Sequence, residues 1–267
     1  MAKRVVRALA LVLFGLAAGA PAYAQAPVAV DVPEIVTDRP DFTESSEIIP
    51  RGWLQIESGV SLEGDAATRA FTAPSALFRL GLGHRTELRF GAEGLVVEST
   101  GSFRRSGGSD LEVGAKIRIL DADRAGIDLA LLPMVSLPTG AAHLTSGGYD
   151  PTLKITWARE LPSGFGLTGN VNLSSLTEDG QRFHQEAISF SLGHDLFKGW
   201  GAYAEAYGFS KMSAAEGAGI TVNGGLSHLV GRRAQFDIEA GRGVTSAAPD
   251  WFVGIGFAVI APSGLRR

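Results

Sequence analysis

The chain has 267 residues, 45% of them hydrophobic, with 35 glycines, 12 prolines, no cysteine and a formal net charge of −4. Without cysteine there is no disulfide, thiol nucleophile or thiolate metal site, and the acidic balance offers no footprint for nucleic acid. So much glycine and proline in a chain of this length fits one large domain of short turns and many strands.

Lys3, Arg4 and Arg7 precede the apolar block "ALALVLFGLAAGA" (8–20), and the small residues "AYA" follow at 22–24. A basic, then apolar, then small-residue order predicts a cleaved secretory signal peptide over residues 1–24. The block is shorter than the roughly 20 residues a spanning helix needs. No later stretch is long and apolar enough either, since "LALLPMVSLP" (129–138) carries two prolines. Helical membrane spanning is therefore excluded.

Beyond a charged segment at 25–51, the chain alternates. In "ELRFGAEGLVV" (87–97), Glu87, Arg89, Gly91 and Glu93 share one parity, while Leu88, Phe90, Ala92 and Val96 share the other. A strand puts these sets on opposite faces. "LEVGAKIRI" (111–119) and "QFDIEA" (235–240) repeat the split, and "WLQIESGV", "FGLTGNVNLS", "ITVNGGLS" and "WFVGIGFAV" carry weaker copies. Breaks at turn-rich spots give about twelve strands, near 52–62, 70–82, 85–97, 109–120, 125–138, 149–160, 163–175, 182–195, 199–210, 218–230, 233–243 and 251–260. Most exceed the five or six residues common in soluble sandwiches and suit a tilted membrane strand.

The connections sort into two kinds. Those at 83–84, 121–124, 161–164, 195–199 and 231–233 are short, whereas 98–110 and 139–150 read as long loops. Alternation of short and long predicts an all-β fold: a single transmembrane antiparallel up-and-down β-barrel, with short periplasmic turns and longer outer loops. Its expected division is signal peptide 1–24, N-terminal periplasmic segment 25–51, outer-membrane barrel 52–260 and C-terminal tail 261–267. Trp53, Trp157, Trp200 and Trp251 all fall near strand ends, as an interfacial aromatic belt requires.

Inward parity assigns to the lumen the acids Glu57, Glu87, Glu93, Glu112, Asp128, Glu205, Asp237 and Glu239, with the bases Arg79, Arg89, Lys116, Arg118 and Lys154. Cross-strand pairing keeps such an interior satisfied, because unpaired buried charge is costly. The acid excess predicts a mild cation preference in an open pore. Leu88, Phe90, Val113, Ile117, Phe236 and Ile238 are expected to face lipid, and an arginine at Ile117, read as mid-strand, to cost about 2–4 kcal/mol.

With the barrel in place, "TDRPDFTES" (37–45) gains a meaning. It mixes Asp38, Arg39, Asp41 and Glu44 with one aromatic, Phe42, and a φ-fixing Pro40, unlike a low-complexity leader. Strand 1 starts at the periplasmic mouth, so residues 37–50 are a candidate lumen plug. Arg39 is expected to meet Glu57 or Glu239, and Asp38 and Asp41 to meet Arg79 or Arg118. Several charge-assisted hydrogen bonds together would offset the lost chain entropy.

Five stretches, "TDRPDFTES" (37–45), "LEVGAKIRIL" (111–120), "SLPTG" (136–140), "GGYDPTLKITWARELPSGFGLTGNVNL" (147–173) and "APDWFVGIGF" (248–257), carry a family resemblance over essentially the whole mature chain. The sequence resembles the outer-membrane transporter family named for the meta-pathway of phenol degradation. That resemblance implies a β-barrel in the cell outer membrane that passes small molecules, aromatic or hydrophobic ones by the family's name alone. Family barrels usually finish on an aromatic residue, whereas this chain runs past Phe257 into "APSGLRR" (261–267).

Catalysis is not expected. There is no "GxSxG" motif, and no histidine among His84, His143, His184, His194 and His228 stands in a nucleophile–base arrangement. No cofactor or metal is expected, since no histidines sit at ligand spacing with a carboxylate, and Glu178 and Asp179 read as a solvated loop. Expected partners are outer-membrane lipid, the barrel assembly machinery and a small-molecule solute, with no nucleic acid. The rival to a channel is a non-conducting structural or interaction barrel that presents its outer loops.

Overall fold

Alternate residues of Trp53–Gly64 decide the first strand: Gln55 and Glu57 are buried on one face, while Leu54, Ile56 and Leu62 turn to the other. The computed structural model describes residues 32–264, so the predicted signal peptide and residues 265–267 lie outside the described residues. The unit that begins at Pro33 carries the strands. In chain order they are β1 (Trp53–Gly64), β2 (Thr68–Gly81), β3 (Thr86–Glu93), β4 (Val96–Thr100), β5 (Phe103–Gly107), β6 (Leu111–Leu120) and β7 (Asp128–Leu137). They continue as β8 (Asp150–Glu160), β9 (Phe165–Glu178), β10 (Gln181–Phe197), β11 (Trp200–Phe209), β12 (Gly219–Val230), β13 (Ala234–Gly243) and β14 (Trp251–Pro262).

All pair antiparallel with neighbours in the sheet. β1 pairs β14 on one side and β2 on the other, which closes the circle, and among the described strands β5 alone pairs on one side only. Both β3 and β4 run along β2, and β6 and β5 continue the same two rows, so these four segments make two long staves. The result is a closed antiparallel barrel of twelve staves. No described helix is long and apolar enough to cross a membrane. The apolar parity faces outward all the way round, with Phe90, Ile117, Phe236 and Ile238 exposed on it. In water such a surface would be an aggregation liability; in lipid it is the solvated face.

Three expectations are corrected by the backbone. Residues 98–110 are not a loop: Thr100 pairs with Phe103 across a two-residue turn at Gly101 and Ser102, and Glu98 bridges Arg105. Gly101 takes φ 59°, the left-handed region that such tight hairpins need. The arginine-rich stretch looked like a loop because a strand standing beyond lipid needs no apolar face. Nor do short and long connections alternate strictly, since 65–67 and 179–180 are tight turns at the same end as the 138–149 loop. At the other end, the turns stay short, one of them carrying the single-turn helix Ala122–Ala125. Finally, β14 runs to Pro262, so the first residues assigned to a tail belong to the last strand.

Candidate permeation site

The inward bases of the barrel wall keep to one side, where acids such as Glu57, Glu87 and Glu112 stand among them. Inward bases Arg79, Arg89, Lys116, Arg118 and Lys154 all lie on β2–β8, whereas β9 and β10 offer Thr168, Asn170, Asn172, Ser189 and Ser191. β11 and β13 contribute Tyr203, Glu205, Tyr207, Asp237 and Glu239. Residues 33–52 run inside the barrel between these two sides and fit each with the opposite chemistry.

Asp38 is the centre of the basic side. Its carboxylate meets Arg89 at 2.5 Å, Lys116 at 3.0 Å and Arg79 at 3.3 Å, and it accepts the backbone N–H of Ser45 at 2.9 Å. Its own N–H donates to Glu57 at 3.0 Å. Glu44 meets Arg89 at 3.0 Å and Lys154 at 2.5 Å, and Glu47 meets Arg118 at 2.5 Å. Backbone carbonyls serve too: Lys116 donates to the oxygen of Ser45 at 2.7 Å, Arg79 to that of Glu47 at 2.9 Å, and Thr156 to that of Glu44 at 2.6 Å. Glu87 accepts the Ile49 N–H at 2.7 Å.

The acidic side receives donors instead. Glu205 accepts the N–H of Phe42 at 2.9 Å, and the N–H and hydroxyl of Thr43 at 2.7 and 2.5 Å. Phe42 stacks on Tyr207 with centroids 4.5 Å apart and meets Phe209 edge-on at 5.3 Å. Gln235 donates to the Thr37 hydroxyl at 2.8 Å, and Arg39 meets Asp237 at 3.3 Å.

Burial alone would raise the carboxyls of Asp38 and Glu44. Around Asp38, the cations Arg79, Lys116 and Arg89 outweigh burial and hold the group well below the usual carboxylate range. Arg89 and Lys154 hold Glu44 at about 2. Asp41, deep beside Glu205, is instead pushed up by burial and by that neighbouring charge. A depressed carboxyl contributes stability that is complete above its unfolded value and is lost as pH falls through the folded one. The insert should therefore stay docked from neutral pH down to the ordinary carboxylate range, near 4, and loosen between there and about 2. Conductance recorded against pH checks this: a release already complete at pH 5 would contradict it.

Two cavities flank the insert. One of about 760 Å³ opens at the turn end, against Glu34, Asp41, Thr168, Ser191 and Tyr203. The other, about 500 Å³, lies toward the loop end against Glu44, Arg89, Glu93, Glu112 and Lys154.

Of the charges assigned inward, Glu57, Arg79, Glu87, Arg89, Lys116, Arg118, Lys154, Glu205 and Asp237 touch the insert directly. Glu93 and Glu112 line the loop-end cavity, Glu239 accepts the Tyr203 hydroxyl at 3.4 Å, and Asp128 accepts the Ala122 N–H at 2.9 Å at the turn end. The expected partners are partly exchanged. Asp38 meets Arg79, but Arg118 takes Glu47, and Arg39 meets Asp237 because Glu57 is held by Arg79 at 3.0 Å and by Gln55 at 2.8 Å.

Trp53 is a correction to the aromatic belt. It shares the parity of Gln55 and Glu57, is 3% exposed, and lies under the Arg233 guanidinium at 5.5 Å. Trp157, Trp200 and Trp251 keep the outward parity. Trp157 meets Phe190 edge-on at 6.1 Å, and Trp200 stacks on His228 at 4.5 Å. Charge-based reading missed Thr43, Gln55, Thr156, Gln235, Tyr203 and Tyr207. For all but Thr43, which lies in the strandless insert, the signal was present in the sequence as polar or hydroxyl groups on the same inward parity, but it lacked the contrast of a full charge.

A closed antiparallel barrel with an apolar exterior and a charged interior is the architecture of an outer-membrane β-barrel. The outer membrane channel from Pseudomonas putida F1 shares this fold with a TM-score of 0.64 at 12% identity, over 81% of this chain and 98% of that one. The NanC porin gives 0.52 at 9% identity, over 77% and 98%. The KdgM porin in complex with disordered oligogalacturonate gives 0.51 at 10% identity, again over 77% and 98%. The family model described as "Putative MetA-pathway of phenol degradation" matches residues 37–260, and the chain belongs to that family. The match starts at Thr37, so it takes in most of the insert as well as the barrel. No curated protein matches.

Proposed function

We propose that this protein is a channel of the cell outer membrane for passive passage of small molecules, and that residues 33–52 form a plug that sets its bore. The observation that carries this reading is the pair of cavities on either side of a charge-matched segment inside a closed barrel. The turn end faces the periplasm, because short turns lie on that side of such barrels. A small aromatic or hydrophobic solute is the class that the family description supports, and it rests on that description alone.

Deletion of residues 33–48 tests the plug. The wall keeps its own pairs without the insert, Arg79 with Glu57 at 3.0 Å and Glu87 at 2.8 Å, and Arg89 with Glu87 at 3.0 Å. The truncated barrel should therefore insert, show a heat-modifiable band and conduct severalfold better than the full chain in planar bilayers. An inserted truncation that conducts like the full chain rejects the plug. A silent full chain beside a conducting truncation makes the intact protein the closed barrel and the plug its seal.

Selectivity follows from the lumen carboxylates, Glu93 and Glu112 in the loop-end cavity and Glu239 beside Tyr203. The full chain should prefer cations modestly, less so as salt screens the lumen. Neutralising Glu93, Glu112 and Glu239 together to glutamine should weaken that preference, read as a reversal potential across a salt gradient. An anion-selective full chain at low salt would count against the assignment.

A further inference from the structure

Arg39 is the residue that lines both cavities, and the plug's other lining side chains touch one or the other. Its guanidinium lies across a single row of the wall. Ser75, Gly59, Gly256 and Asp237 are consecutive cross-strand partners on β2, β1, β14 and β13, all inward. The two glycines in the middle leave a notch. A Cβ built on Gly59 would sit 2.5 Å from Nη2 of Arg39, and one on Gly256 would come closer still to Nε. At the ends of the row, Arg39 Nη1 donates to Ser75 at 3.4 Å and Nη2 to Asp237 at 3.3 Å.

This hold is looser than the shortest ion pairs of the plug. Arg89 grips Asp38 at 2.5 Å and Lys154 grips Glu44 at 2.5 Å, whereas the Arg39–Asp237 pair lies beyond the ordinary range for charged pairs and the bond to Ser75 is longer still. Buried Nε of Arg39 and Oδ2 of Asp237 have no hydrogen-bond partner. The arginine is thus a fixed positive charge at the junction of two cavities, seated in a slot shaped for it, with donor capacity to spare.

We infer that Arg39 is the gate of the lumen: its guanidinium closes the path between the plug and the β13–β14–β1 wall, and it is the electrostatic barrier that a cation meets between the two cavities. This rests on the plug reading and goes beyond it. The Asp38 cluster anchors the segment on the basic side, and the passage runs on the other side, where one side chain lifting from a glycine notch opens it. Arg89 and Lys154 also face the loop-end cavity, but Glu44 holds both.

The chain has no cysteine, so Arg39→Cys gives a unique thiol in an otherwise inert protein. Unmodified, this variant should raise single-channel conductance about twofold or more and shift the reversal potential toward cation selectivity. A cationic alkyl-ammonium methanethiosulfonate should reverse both effects, whereas an anionic sulfonate reagent should leave conductance high and strengthen the cation preference. Asp237→Asn frees the arginine of its carboxylate and should shift selectivity the opposite way, which also serves if the cysteine variant fails to insert. The gate is overturned if bare Arg39→Cys matches the full chain, if the cationic reagent leaves its effects unreversed, or if Asp237→Asn shifts selectivity toward cations. Should that happen while deletion of 33–48 still raises conductance, the plug stands and the path runs elsewhere. If the deletion changes nothing either, the plug reading has failed first.

Discussion

Replacing Asp38 with alanine is expected to destabilise the folded protein by about 3–5 kcal/mol and to unseat the insert, because it strips the shared carboxylate from three buried cations. Arg79, Arg89 and Lys116 are each at most 2% exposed as side chains, and Asp38 is 3% exposed among them. The loss does not fall evenly. Arg79 keeps Glu57 and Glu87, and Arg89 keeps Glu44 and Glu87, but Lys116 keeps only the carbonyls of Ser45 and Glu47. Asp38 also ties the insert to itself through Ser45, whose N–H and hydroxyl both reach it. Its removal therefore loosens the turn as well as the anchor. Urea titration in vesicles reads the stability, and protease access from the turn end reads the insert. Adding Lys116→Met to Asp38→Ala should recover part of the loss, since the stranded charge is then gone. If Asp38→Ala unfolds at the wild-type urea concentration with residues 33–48 still protected, the cluster is not what holds the insert.

The barrel was legible in the sequence because lipid and lumen demand opposite chemistry on successive residues. In β3, Glu87 and Arg89 oppose Leu88 and Phe90 without exception, so both faces can be read directly. The same contrast placed every charged residue of β6. Legibility failed where that demand ends. Phe103–Gly107 stands beyond the apolar band, so Arg104 and Arg105 follow no membrane rule and looked like a loop. Trp53 failed for a related reason: proximity to a strand end was visible, but its inward parity, shared with Gln55 and Glu57, should have outweighed it. Within the insert, charge complementarity with the wall was visible as composition. Which acid meets which base was not, because Ser75, Gly59, Gly256 and Asp237 become one row only through the register of four strands that span the length of the chain. Two glycines on an inward parity carry no chemical signal until the arginine that fills their notch is seen.

Depth in the bilayer, which alternation does not encode, changes the expected cost of placing charge on the lipid face. Ile117 pairs with Thr86, the first residue of β3, and lies near the turn end of β6. It is outward, but it is not mid-strand. An arginine there can reach the headgroups, so the expected cost falls to about 0–1 kcal/mol, the range near an interface. Ile238 is the better test. It sits in the middle of β13, pairs with Leu226 on one side and Ile255 on the other, and is 54% exposed on the apolar face. No polar group shares that outward patch at the same height on the paired strands. Ile238→Arg should cost about 2–4 kcal/mol, as expected for a charge at the bilayer midplane. Its inward neighbour Glu239 hydrogen-bonds Tyr203 at 3.4 Å across a water-accessible lumen, so Glu239→Gln keeps the shape and should be nearly neutral. Urea unfolding of all three variants in vesicles separates the effects. Equal losses at 238 and 117 would remove the depth assignment, and a Glu239→Gln loss as large as that of Ile238→Arg would remove the assignment of faces on β13.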